Sequence, residues 1–194
     1  MLAFLSGLLA GCLHVLSGPD HLAAVAPLAV GEPRAGGKLG ATWGIGHGGG
    51  VLLWLGGASL FGDMLPVQRV SDAAEMLVGV SLVVLGLYAL WSRAHQRAHH
   101  HHHERGTAFG MGVLHGTAGA GHFLVVLPTL GLPHTHVALY AGGYLLSAVG
   151  VMAAAGTLFA RLGRFTLYAR QLRAGFALCT IAVGLFWLGA STLG

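Results

Sequence analysis

The sequence predicts an all-α integral membrane protein with six transmembrane helices, built as two inverted three-helix repeats with a broken first helix. Composition is the first reason: of 194 residues, 55% are hydrophobic and only 8% are charged, too few polar groups to clothe a soluble globule. Second, a bilayer core of about 30 Å needs roughly 20 helical residues. Apolar stretches of about that length run near 2–30, 39–61, 73–91, 107–130, 136–159 and 174–193. Third, the phrase Leu13-His14-Val15-Leu16-Ser17-Gly18-Pro19-Asp20-His21 returns 101 residues later as Leu114-His115-Gly116-Thr117-Ala118-Gly119-Ala120-Gly121-His122. Three spans per copy is an odd number, so the second copy enters the membrane from the opposite side.

Taken in order, the first span exceeds the short apolar core of a signal peptide and lacks its basic flank, so it is expected to be retained. Within it, Pro19 supplies no backbone donor and disfavours helix at Gly18, which predicts the break. Glycine crowds the second span, at Gly44, Gly46, Gly48, Gly49, Gly50, Gly56 and Gly57, and small residues let helix backbones approach closely in lipid. Glu75 and Arg173 open the third and sixth spans at matching positions, where their charged heads are expected to snorkel to the interface. The fourth span carries the second copy of the phrase and the fifth carries Gly142, Gly143, Gly150 and Gly156. The repeat extends beyond the phrase: Pro27 aligns with Pro128 and Trp43 with Tyr144 at the same offset. With a slip of three residues, Leu85-Gly86-Leu87-Tyr88 aligns with Val183-Gly184-Leu185-Phe186. The expected units are a first repeat over 1–91, a His-rich linker over 92–106 and a second repeat over 107–194.

Basic residues set the expected orientation. Arg34, Lys38, Arg93, Arg97, Arg105, Arg161, Arg164, Arg170 and Arg173 lie in connections on one side, and only Arg69 lies on the other. Nine against one places the former loops in the cytoplasm and both termini outside. The net charge of +4 follows from this asymmetry and gives no nucleic-acid signal. Cys12 and Cys179 break the repeat symmetry and read as small packing residues, with a transmembrane thiol-redox relay as the alternative.

Five of the thirteen histidines fall inside spans: His14, His21, His47, His115 and His122. Ionisable groups at that depth are costly and mark a functional pathway. Residues seven apart on a straight helix lie about 10.5 Å apart along its axis, whereas two nitrogens on one ion at about 2 Å each are at most about 4 Å apart. His14 and His21 can therefore share an ion only if the helix is broken between them. Neutral imidazoles with the Asp20 carboxylate suit borderline divalent ions better than Mg²⁺ or Ca²⁺. The expected metal set is His14, Asp20, His21, His47, His115 and His122. A second cluster, His95 with His99, His100, His101, His102 and His103, is expected to gather metal from the cytoplasmic loop. His134 and His136 occupy a short outer loop.

The phrase from His14 to Asp20-His21, together with Trp43-Gly44-Ile45-Gly46-His47-Gly48 and the His-rich loop, resembles the nickel/cobalt permeases, the NiCoT and NicO families, and most closely their UreH-like short branch. Five residues separate His14 from Asp20 where the importers have four, and six spans replace their usual eight. The resemblance implies a secondary transporter for Ni²⁺ or Co²⁺ with no resident cofactor, not an enzyme, in a bacterial plasma membrane. Uptake is favoured, with efflux as the alternative. The partners expected are the transported metal ion and the lipid bilayer, with a second copy of the chain or a cytoplasmic metallochaperone as further candidates and nucleic acid excluded.

Overall fold

Pro19 divides the first apolar stretch in two, as its missing donor requires. In the computed structural model, which describes residues 1–32, 34–61, 67–94, 101–118, 132–165 and 168–193, α1 (Leu2–Ser17) ends at Gly18, whose backbone is extended at φ −89° and ψ 101°. Helix α2 (Pro19–Gly31) starts with proline in its first turn, the position where that residue is pre-organised. The two meet at a bend of 71°. Then follow α3 (Gly36–Phe61), α4 (Val67–Ala94), α5 (His101–Thr117), α6 (His134–Phe165) and α7 (Ala169–Leu193). The described residues are all-helical, seven helices in number.

Three of these helices are long and apolar enough to cross a membrane, over Ser71–Trp91, His134–Arg164 and Ala169–Ser191, or up to four spans if the bent α1–α2 pair is one. The expected six spans are not confirmed among the described residues, and part of the fourth expected span lies outside them. Helix α3, with 26 residues, is not among the three helices that qualify. Helix α5 covers 17 residues, and the rest of the expected fourth span, from 119 to 130, lies outside the described residues. Exposed leucines at 5, 9, 13 and 16 on α1, with Leu158, Leu185 and Phe186 on α6 and α7, give the outside an apolar surface compatible with membrane association. Within the linker expected over 92–106, α4 continues to Ala94 and α5 begins at His101.

Helix packing follows the small residues. Helix α1 lies along α6, α3 lies between α5 and α6, α4 pairs with α7, and α2 rests on α6 and α7. A Cβ at Gly11 would overlap the Tyr144 carbonyl, and one at Gly112 would overlap that of Trp43. Gly112 and Tyr144 stand 101 residues beyond Gly11 and Trp43, so one contact occurs twice. The α4–α7 crossing repeats in the slipped register, with Gly79 against Gly184 and Gly86 against Ala177. The core these crossings enclose contains Val15, Val25, Leu39, Trp43, Leu82 and Met152, and the histidines stand beside it.

Candidate metal centre

His14 belongs to the last turn of α1, and Asp20 and His21 belong to the first turn of α2. A carboxylate in a helix's first turn is favoured by the backbone dipole, so the sequence that breaks the span also anchors Asp20. The break brings His14 and His21 together, with ring centroids 4.9 Å apart. His47, from the middle of α3, completes a triangle at 5.3 Å from His14 and 5.0 Å from His21. Donor atoms of the three lie within 4.8 Å of one another. A small inward turn of the rings would bring them to the separation of about 4 Å or less that a shared ion requires.

Neighbours orient these rings. Trp43, one helical turn before His47, stacks on it with centroids 5.0 Å apart and planes 9° from parallel. Tyr144 from α6 sets its hydroxyl 3.3 Å from His47 Nε2; when that nitrogen donates to the tyrosine oxygen, Nδ1 keeps the lone pair. His21 is 4% exposed, and its Nδ1 has no hydrogen-bond partner among the described residues. Sequence reasoning overlooked Trp43 and Tyr144 as supports of the site, although both occupy the same register of the repeat.

His115 stands at the edge of the triangle, its ring 6.1 Å from that of His21. Its Nδ1 lies 2.8 Å from the Met111 carbonyl, which can only accept, so Nδ1 carries the proton. Nε2 is thereby turned toward Asp20, 3.9 Å from Oδ2. The same oxygen lies 3.9 Å from His21 Nε2. Asp20, 8% exposed, thus places a carboxylate between two imidazoles, and a dication in this low-dielectric setting would benefit from its charge.

Of the expected metal set, the structure gathers His14, Asp20, His21, His47 and His115. His122, with His95, His99 and His100 of the linker, lies outside the described residues. His101, His102 and His103 fall in the first turn of α5. His134 and His136 are exposed at the start of α6, away from the cluster. Cys12 and Cys179 are free.

No family model matches the chain, and no solved structure matches it. Two curated proteins of Arabidopsis thaliana do. The chain is 31% identical to Chloroplast protein FOR GROWTH AND FERTILITY 2 over 179 residues, 84% of this chain and 45% of that protein. It is 43% identical to Chloroplast protein FOR GROWTH AND FERTILITY 1 over 82 residues, 42% of this chain and 22% of that protein. The chain spans less than half the length of either relative. These similarities overturn the expected membership of the nickel/cobalt permeases, with its uptake, efflux and bacterial plasma membrane, and they lend nothing to the thiol-redox alternative. Histidines flanking a helix break satisfy the chemistry of many borderline cations, so the phrase that carried that resemblance was too general to fix a cargo. What the chain is similar to is a pair of plant proteins named for the chloroplast and for growth and fertility.

Proposed function

We propose that this chain is a membrane-embedded metal-binding protein that holds one borderline divalent cation, of the Zn²⁺ type, on the imidazoles of His14, His21 and His47. The observation that carries the reading is the convergence of those three side chains, from both sides of a helix break and from a neighbouring helix, with donors within 4.8 Å. Imidazole is a preferred ligand of Zn²⁺. Asp20 adds counter-charge, and Tyr144 fixes a ring nitrogen that does not face the ion, the supporting role usual around histidine ligands. The role proposed is ion binding, with no reaction assigned.

The wider architecture we propose is two three-helix repeats of opposite orientation. Its support is the doubled contacts, Gly11 on Tyr144 with Gly112 on Trp43, and Gly79 on Gly184 with Gly86 on Ala177. The relatives' names bring a chloroplast setting and a role in growth and fertility into consideration. A bilayer is proposed for this chain without a compartment.

Zinc titration of purified full chain tests the reading, in a background with His95, His99, His100, His101, His102 and His103 changed to Asn so that the loop contributes nothing. The expected result is one Zn²⁺ per chain, lost in His21→Ala and in His47→Ala and kept in His136→Ala, with affinity falling as pH is lowered because protons compete for the ligands. No Zn²⁺ bound in that background, or a His21→Ala variant that binds as its parent does, would overturn it.

A further inference from the structure

Two basic stretches more than a hundred residues apart in sequence meet on one face of the molecule. The entry to α3 contributes Arg34 and Lys38, and the end of α6 contributes Arg161 and Arg164; together they line a cavity of about 460 Å³. That is the size of a small-ligand pocket. Its walls include Thr157, Gly36 and Gly37 and no carboxylate. A Cβ on Gly37 would come 2.5 Å from the Thr157 hydroxyl, so a larger side chain there would crowd into the space. The positive end of the α3 dipole lies at the same rim.

Arg34, Lys38, Arg161 and Arg164 gather positive charge around one opening, and a basic opening of this kind attracts anions. All four are exposed near helix ends, and the end of a helix long enough to span, as α6 is, reaches the phosphate level of a bilayer. Arginine forks and lysine ammonium groups match tetrahedral phosphate oxygens, and basic pockets between membrane helices bind anionic head groups. We propose that this cavity binds a phosphate-bearing anion, through Arg34, Lys38, Arg161 and Arg164. The phosphate can belong to an anionic lipid head group or to a free phosphate compound. The cavity is separate from the histidine cluster, so the proposal stands or falls independently of metal binding.

The test uses the full chain in detergent, with lipid retention read by native mass spectrometry and melting temperature read with and without inorganic phosphate. Phosphatidylglycerol should be retained about tenfold or more over phosphatidylcholine, or inorganic phosphate should raise the melting temperature. The first result assigns the site to a head group and the second to a free phosphate. Arg34→Gln combined with Arg161→Gln should reduce binding about thirtyfold, from about fivefold per charge removed near the surface. Arg105→Gln combined with Arg170→Gln removes the same charge outside the cavity and should retain binding. Equal retention of both lipids with no phosphate response overturns the proposal, as does an equal loss in the two double variants. Circular dichroism of each variant separates lost binding from lost folding.

Discussion

Thr180 has a task that its own helix does not explain. It is fully buried in α7, and its hydroxyl lies 2.8 Å from the Ala23 carbonyl of α2 and 2.8 Å from the Phe176 carbonyl. Pro27, four residues after Ala23, sits inside α2 and has no N–H to give back, so the Ala23 carbonyl lacks its helical donor. Freed backbone groups at membrane depth must be satisfied by neighbours, and Thr180 is that neighbour. Thr180→Val keeps the shape and removes the donor. The expected cost is about 1 kcal/mol, between a typical interhelical bond in a membrane and a fully orphaned carbonyl, read as a lower melting temperature in detergent. Thr180→Ser should melt close to the parent; equal losses in both variants would show that the methyl matters and the bond does not.

At the scale of the element, the junction of α1 and α2 joins folding to the site. Gly18 is extended because a residue before proline avoids helical backbone, and that one residue turns a straight span into a bend of 71°. A Cβ on Gly18 would overlap the His21 ring at Nδ1 and would come 3.0 Å from Asp20 Oδ1. Gly18→Ala should therefore push His21 out of the triangle while leaving the backbone conformation allowed. We expect weaker Zn²⁺ binding with unchanged helix content by circular dichroism; Zn²⁺ affinity equal to the parent's would refute this account of the junction. The bend was legible in the sequence because it follows from proline's covalent structure, and the pairing of His14 with His21 follows from the bend. The Tyr144 hydroxyl beside His47 was not legible, since it depends on how closely α6 approaches α3. That distance is set by which glycines face each other, and the sequence pattern does not reveal their partners. The glycines of α3 were legible as contact residues, but which helix each one meets was not: Gly46 and Gly50 approach α5 and Gly44 approaches α6.

Arg34, Lys38, Arg161 and Arg164 gather at one cavity, and the longest helix among the described residues tests which way that cavity faces. Helix α6 has 32 residues, about 48 Å at 1.5 Å per residue, which exceeds a hydrocarbon core of about 30 Å. His136 stands near its start and Arg161 near its end, about 37 Å apart along the axis. If α6 spans the bilayer, those two positions face opposite compartments, and the Arg34, Lys38, Arg161 and Arg164 cavity faces only one. Single cysteines at His136→Cys and Arg161→Cys, in a chain with Cys12→Ser and Cys179→Ser, can be probed in sealed vesicles with a membrane-impermeant maleimide. Each is expected to label from one side only, the sides being opposite, and Arg34→Cys should follow Arg161→Cys because both residues line the same cavity. Labelling of His136→Cys and Arg161→Cys from the same side would mean that α6 does not cross, and the inverted pair of repeats would lose its central helix.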